Sequence, residues 1–73
     1  GVIVVVYPVH SSLDDVLTIA LSQAEGRPIF LIWLSGHEVR SFVERQTFGN
    51  IAVFEYKTSL ADAMLGDLQF VHY

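Results

Sequence analysis

Three runs of apolar residues divide the chain and alternate with segments in which apolar residues recur at helical spacing. The runs lie at residues 2–7, 29–34 and 51–54 and are rich in β-branched and aromatic side chains. The first two are apolar at every position, whereas a half-exposed strand would alternate with polar residues. This pattern predicts strands that are buried on both faces, as in a parallel sheet.

The segment after the first run has the pattern of an amphipathic helix. Apolar residues recur every three or four positions, at Leu13, Val16, Leu17, Ala20, Leu21 and Ala24. Ser11 and Ser12 precede this stripe as candidate N-caps, and two aspartates follow them where acidic groups suit the helix end. Gly26 and Pro28 are expected to end the helix.

A second, shorter helix is predicted between the second and third runs. Val39, Phe42 and Val43 are spaced so that they would face inward from one side of it. This helix is expected to stop near Gly49 and Asn50, directly before the third strand.

A last helix is predicted after the third run, with Thr58 or Ser59 as its cap. Its apolar residues are spaced four apart, at Leu60, Met64 and Leu68. We assign Met64 to the core, together with Trp33 of the second strand. Residues 69–73 are either a frayed end or a short added strand.

The order β-α-β-α-β-α predicts one α/β domain over residues 1–73. Three β-α units with short connections favour right-handed crossovers and a three-layer, mostly parallel sheet flanked by helices. A strand predicted to be buried on both faces begins at residue 2, with nothing before it to pair with or cover it. We therefore expect a fragment of a larger domain, or an edge that a partner covers.

Composition narrows the class of protein. Hydrophobic residues make up 52% and charged residues 16% of the 73 positions, which excludes a disordered tail. The formal charge of −4 disfavours a nucleic-acid partner, and the absence of cysteine excludes disulfides, thiolate catalysis and cysteine-bound metals. The apolar runs are too short to span a bilayer, so the expectation is a cytoplasmic protein without membrane contact.

A ligand site is expected where the predicted parallel strands end, because open parallel sheets bind ligands outside their carboxyl ends. The polar groups after the three strands would share this rim: His10, Ser11 and Ser12, then Gly36, His37 and Glu38, then Lys57 and Thr58. Helix N-termini at the same rim would offer free N–H groups to an anion.

His10 is the most distinctive residue of this rim. It is either a phosphate contact or an acid–base group, or else a partly exposed loop histidine beside ordinary helix caps. A nucleophilic triad with Ser11 or Ser12 and Asp14 is disfavoured, because no G-x-S-x-G sequence surrounds these residues.

The other rim residues also have a functional and a structural interpretation. His37 and Glu38 suit a metal site only weakly, since the three histidines of the chain lack ligand spacing, and no metal is predicted. Lys57 could pair with a phosphate or with Glu55, or be solvated. Gly36 stands outside any glycine-rich phosphate loop, so nucleotide binding by this chain alone is not expected.

Residues 27–38, RPIFLIWLSGHE, resemble a strand and turn of the form KPV-small-apolar-W-x-G-G-x-x. That segment belongs to the ligase domain of NDP-forming acyl-CoA synthetases, the succinyl-CoA synthetase superfamily. Residues 48–64 are similar in spacing to the family's AGIPVF-x-T-P-E-x-A-V-x-A-L segment, and residues 4–8 to its VLVI-x-T-P strand. The resemblance covers most of the chain and implies a flavodoxin-like second ligase domain that lacks its first β-α unit.

These enzymes join an organic acid to coenzyme A, driven by ATP or GTP through a phosphohistidine. The resemblance implies a non-catalytic supporting domain that binds no cofactor alone, with CoA and ATP or ADP bound by the whole assembly. It implies ATP-grasp and CoA-binding domains in the same chain or in a partner subunit. It assigns the helix N-terminus that faces the phosphohistidine to Val9, His10, Ser11 and Ser12.

The sequence departs from the family at several positions. The Ser-His-Thr-Gly-like loop that carries the phosphohistidine is absent, the family's second turn glycine is replaced around Gly36, and Ser59 stands where the family has proline. Two alternatives therefore stay open. One is a small α/β interaction module without enzymatic activity, whose sheet edge pairs with a partner. The other is a phosphotransfer or receiver-like domain with His10 as phosphoacceptor.

Overall fold

A computed structural model of the chain describes residues 1–64, 66 and 68–73. Over these residues the chain forms five strands and two helices. In chain order they are β1 (Ile3–Tyr7), α1 (Leu13–Ala24), β2 (Ile29–Gly36), β3 (Ser41–Phe48), β4 (Ile51–Thr58), α2 (Leu60–Met64) and β5 (Gln69–His72). The three predicted strands are present as β1, β2 and β4, and the last two continue beyond their apolar runs into polar residues.

The strands form one mixed sheet in the order β3-β4-β2-β1-β5. β2 lies between β1 and β4 and is parallel to both. The edge strands run the other way, with β5 antiparallel to β1 and β3 antiparallel to β4. The centre of the sheet is therefore parallel, and each edge is closed by an antiparallel strand.

The core lies on the face of the sheet that α1 covers, which we call the helix face. Alternate residues of the three central strands point into it, and one side of α1 packs on them. The buried cluster consists of Ile3, Val5, Tyr7, Ile29, Leu31 and Ile51 from the strands and Val16, Ala20 and Ala24 from α1. Of the predicted stripe of the first helix, Val16, Ala20 and Ala24 are buried and Leu17 packs against the core, whereas Leu13 and Leu21 are exposed.

The ends of α1 are close to those predicted. Ser12 occupies the N-cap position with extended backbone, although its side chain makes no capping hydrogen bond. At the other end, Glu25 and Gly26 both have positive φ, at 53° and 82°. Arg27 then donates from Nε to the carbonyl of Ala24 at 2.8 Å, which satisfies a helix-end acceptor.

The opposite side of the sheet, which we call the open face, is apolar and only half-buried along its three central strands. Its central residues are Val4 and Val6 of β1, Phe30, Ile32 and Leu34 of β2, and Ala52, Phe54 and Tyr56 of β4, with Phe42 of β3 at the rim. The prediction that the strands are buried on both faces is wrong, because α1 lies on the helix face alone.

The predicted second helix is wrong as well, because residues 41–48 form strand β3. Its partner is β4, and Gly49 and Asn50 form the two-residue loop between Phe48 and Ile51. Gly49 has φ 59°, which a glycine adopts without strain. The chain thus makes a β-hairpin where a β-α unit was predicted.

These differences overturn the predicted fold class. A flavodoxin-like, three-layer, mostly parallel sheet built from three β-α units requires a helix between each pair of parallel strands. Here only β1 and β2 are joined by a helix, whereas β2 and β4 are joined through β3. Two of the four strand pairings are parallel and two are antiparallel.

The end of the chain contains a shorter helix than predicted and an added strand. Ser59 caps α2, since its Oγ accepts the N–H of Asp62 at 3.2 Å. The helix is only five residues long and buries Ala63. The prediction that Met64 belongs to the core is wrong, because Met64 is 54% exposed. Trp33 does pack against the core. Of the two interpretations of residues 69–73, the added strand is confirmed as β5.

In the described part of the chain, neither helix combines the length and the apolar character that a bilayer crossing requires.

Candidate functional site

All eight residues predicted for the site adjoin one edge of the sheet. The carboxyl ends of β1, β2 and β4 meet there because these strands are parallel. β1 ends at Tyr7, just before residues 9–12, and His37 follows the end of β2. Gly36, Lys57 and Thr58 belong to the strands themselves and not to loops, because β2 and β4 are longer than predicted.

Residues 9–12 form the connection from β1 to α1. The N–H of Val9 donates to the carbonyl of Ala63 at 3.1 Å, and that of Ser11 donates to the carbonyl of Pro8 at 3.1 Å. Two of the amides assigned to an anion are therefore already bonded within the chain. His10 and Ser12 are exposed, and Ser11 is half-buried.

The other predicted residues differ in their surroundings. Gly36 touches α2 so closely that a Cβ atom there would lie 2.8 Å from Cδ1 of Leu60. The N–H of His37 donates to the carbonyl of Thr58 at 2.6 Å, which joins the ends of β2 and β4. Lys57 is half-buried and Thr58 is buried.

A buried carboxylate, Glu55, lies at the centre of the polar groups on this part of the helix face. Ser35 Oγ donates to Glu55 Oε2 at 2.5 Å from the neighbouring strand. The guanidinium of Arg45 approaches Oε1 through Nε at 3.3 Å, and His37 Nε2 lies 3.5 Å from Oε2. One carboxylate thus ties β2, β3 and the loop after β2 to β4.

These contacts determine the charge state of Glu55. The hydrogen bond from Ser35 is the main cause that lowers the pKa of this carboxyl group, while burial opposes it and the nearby Arg45, Lys57 and His37 add to the lowering. Glu55 is therefore ionised at neutral pH and makes charge-assisted contacts.

From the sequence, Glu55 is expected only as an ion-pair partner of Lys57, and neither Ser35 nor Arg45 stands out. The alternation of side chains along β4 could have indicated that Glu55 faces the core. This alternation includes Glu55 only if the strand is predicted to continue past residue 54. Glu55 then lies on the helix face between Phe54 and Tyr56 of the open face. Arg45 reaches it from β3, beside the irregularity in pairing between Glu44 and Gln46.

The arrangement of Ser35, Glu55 and His37 does not form a nucleophilic triad. A nucleophilic serine gives its proton to a base, which a carboxylate orients from the other side. Here the Ser35 hydroxyl donates directly to Glu55, and His37 approaches the same oxygen. These contacts stabilise the carboxylate and leave the serine without an imidazole base.

A cavity of about 340 Å³ lies next to this cluster on the helix face. We call it the Trp33 cavity. It is lined by Tyr7, Val9, Ser11, Leu13, Trp33, Arg45 and Val53. Burial raises the pKa of Tyr7, so its hydroxyl stays protonated. A shallower groove of about 400 Å³, lined by His37, Glu38, Val39, Ser41 and Lys57, lies on the other side of the Glu55 cluster.

The part of the chain that the structure describes contains no group of three or more metal-ligating side chains. His72, the third histidine, lies on β5 and contacts Gln23 of α1 at 3.1 Å, on a strand remote from β4 in the sheet order.

The open face carries a row of aromatic rings that crosses three strands. The ring centres of Phe30 and Phe54 are 6.0 Å apart, and Phe42 stacks on Phe54 at 5.1 Å with an interplanar angle of 17°. Tyr56 lies beside Phe42 at 6.4 Å. Such contacts stabilise the sheet and leave a continuous apolar surface.

Comparison of the chain with protein-family models, with curated proteins and with solved structures finds no match.

Proposed function

We propose that this domain is a non-enzymatic interaction module that binds an amphipathic helix of a partner across its open face. The observation that carries this proposal is the open face itself, where apolar residues of β1, β2 and β4 remain half-exposed. Contiguous apolar surface of this kind is typical of an interaction site on a soluble domain.

A helix is the favoured occupant because the centre of the sheet is parallel. Parallel strands occur almost only where helices cover both faces of the sheet. Here α1 covers one face, and the five-residue α2 covers only the end of the other, at Gly36 and Thr58. On the open face the three central strands present no charged side chain, and Glu44 stands at the β3 edge beside Phe54. A matching ligand therefore has an apolar stripe towards the sheet and polar residues on its back, which is the pattern of an amphipathic helix.

The interaction can be tested by photo-cross-linking in cells of the native source. A photoreactive phenylalanine analogue replaces Phe42 on the open face or, as the matched control, Leu21 on the outer side of α1. The two positions are 57% and 52% exposed, so their access to solvent is similar. We expect cross-links from position 42 to one face of an amphipathic helix, none to that helix from position 21, and fewer when Val71→Lys places a charge on the open face.

Three outcomes would contradict the proposal. Position 42 could cross-link only to second copies of this chain, it could cross-link no better than position 21, or its targets could map to segments without an apolar helical stripe.

The role in an acyl-CoA synthetase stays a prediction, together with its CoA, its ATP or ADP and its partner domains. Its premise was a flavodoxin-like ligase domain, and the segment after the strand-turn motif forms β3 instead of a helix. Phosphotransfer through His10 also stays a prediction. Acid-labile label on the chain after incubation with phosphodonors, as a phosphohistidine gives, would support phosphotransfer, whereas the supporting domain of a synthetase should take up no label.

A further inference from the structure

The Trp33 cavity has the lining of a small ligand site. Val9, Leu13, Trp33 and Val53 provide apolar walls, and the polar groups are the hydroxyls of Tyr7 and Ser11 and the guanidinium of Arg45. Ligand pockets are mostly apolar with a few placed polar groups and measure about 300–1,000 Å³. At about 340 Å³ the cavity suits a ligand with one ring and a short side chain.

The charge of the lining selects for an anion. The cavity contains one cation, Arg45, and none of its lining residues is acidic. This is notable in a chain whose formal charge is −4. The buried Glu55 contacts this arginine through Nε, and the arginine side chain is 53% exposed.

Glu55 also fixes the orientation of the arginine. Arg45 Nε lies 3.3 Å from Glu55 Oε1, Glu55 is the one ion-pair partner of Arg45 among the described residues, and the arginine side chain is 53% exposed and so accessible to a ligand. The Nη pair can donate two parallel hydrogen bonds to the oxygens of a carboxylate. Glu55 is thus a positioning residue, itself held by Ser35.

We infer that the Trp33 cavity binds a small organic acid with an aromatic body, which stacks beside Trp33 while its carboxylate is held by the Nη groups of Arg45. A phosphate group fits less well, because a dianion would meet a single arginine and no second cation among the lining residues. This site lies on the helix face and does not depend on what the open face binds.

Trp33 is the one tryptophan of the chain, so its fluorescence reports directly on the cavity. The full 73-residue chain is titrated with 3-phenylpropionate, with 3-phenylpropanamide as the neutral analogue of the same shape, and with inorganic phosphate. We expect a saturable change of Trp33 fluorescence with the acid, at least about tenfold weaker binding of the amide, and no saturable change with phosphate.

Two pairs of variants test the role of the lining. Arg45→Gln should weaken binding of the acid by about tenfold or more, whereas Arg40→Gln, which alters an exposed arginine paired with Asp62 at 3.4 Å, should leave it unchanged. Because Arg45→Gln also removes a partner of Glu55, a second pair avoids that contact. Leu13 is 47% exposed and lines the cavity, so Leu13→Glu should repel the acid while Leu13→Gln should not.

The inference is overturned if acid and amide bind equally, if Leu13→Glu and Arg45→Gln bind the acid as the unchanged chain does, or if none of the three probes changes the fluorescence. A saturable response to phosphate alone would equally overturn it. None of these results bears on the open face, whose partner is tested by cross-linking from Phe42.

Discussion

At the residue scale, Glu55 is the side chain whose environment differs most from that of an ordinary strand residue. The residue is 3% exposed, yet its carboxylate is ionised because a hydroxyl, a guanidinium and an imidazole lie close to it. A buried charge is tolerated only when its hydrogen bonds are satisfied. No buried side-chain polar atom in the described residues lacks a partner. The cluster therefore holds β3 and the loop after β2 in place.

The stability of the protein should depend on the ionisation of Glu55. Its pKa in the folded state is lowered from the ordinary value of 4.5, so the unfolded chain binds the proton more tightly. The stabilisation is then complete above about pH 4.5 and is lost as the pH falls through the folded pKa. We expect Glu55→Gln to reduce the free energy of unfolding at pH 7 by about 1–3 kcal/mol, with a difference that shrinks in acid. Urea denaturation at several pH values measures this.

Glu38→Gln is the control for that series, because Glu38 is an exposed carboxylate in the loop after β2. It should leave the free energy of unfolding within about 0.5 kcal/mol of the original at every pH. An equal loss of stability in both variants, or a loss for Glu55→Gln that does not vary with pH, would show that the Glu55 contacts do not have the assigned role.

The location of the candidate site could be predicted from the sequence, but its chemistry could not. The polar residues that follow parallel strands lie at the edge of the sheet where the carboxyl ends of those strands meet. Residues 9–12 and 36–37 do lie at this edge. Glu55 and Arg45 were missed because they meet only when β3 pairs with β4 in a particular register. This register depends on how the two strands pair in the folded protein. The spacing of residues within one segment does not determine that pairing.

At the scale of elements, a prediction succeeded where the sequence fits one pattern and failed where it fits two. The three apolar strands are of the first kind, and the predicted second helix is of the second. Residues 29–34 are apolar throughout, short, and rich in β-branched and aromatic side chains, which together favour a strand. Residues 41–48 fit two patterns, since Phe42 and Val43 follow Val39 at helical spacing while Phe42, Val43, Thr47 and Phe48 favour a strand. The deciding signal was the Gly49-Asn50 pair between two such segments, which is typical of a two-residue hairpin loop.

Gly49 should be the residue on which this hairpin depends most. A Cβ atom there would meet nothing within 4 Å, so any penalty comes from its φ of 59° and not from crowding. We expect Gly49→Ala to lower the free energy of unfolding by about 1–2 kcal/mol, since L-residues pay roughly that cost in left-handed backbone. Gly49→Asn should cost less, because asparagine tolerates this conformation. Thermal denaturation by circular dichroism compares them, and equal stability of all three chains would contradict the hairpin geometry.

At the scale of the whole molecule, the two faces of the sheet account for the unusual composition of the chain. The chain is 52% hydrophobic, and its sheet has a buried core on the helix face and half-exposed apolar residues on the open face. The expectation of an uncovered apolar surface came from the sequence, in the buried strand that starts at residue 2. The uncovered surface was expected at the edge of β1, but β5 pairs with that edge. The surface that α1 leaves uncovered is the open face.

The open face should therefore dominate how the isolated chain binds apolar dyes and other surfaces. Phe42 and Val71 lie at opposite edges of this face and are 57% and 40% exposed. We expect the double variant Phe42→Lys, Val71→Lys to bind markedly less 8-anilinonaphthalene sulfonate and to self-associate less in sedimentation velocity, with unchanged far-ultraviolet circular dichroism.

The matched control places the same two charges at exposed positions of α1, on either side of the buried Ala20. Ile19 and Leu21 are 40% and 52% exposed, so Ile19→Lys with Leu21→Lys removes similar apolar surface and adds the same charge. If dye binding depends on contiguous apolar surface, the control should retain most of it, because these two side chains stand on a helix whose neighbouring positions include Thr18 and Ser22. Equal losses in both variants would mean that added charge alone governs dye binding. The open face would then have no special part in it, and the helix-binding proposal would lose its physical basis.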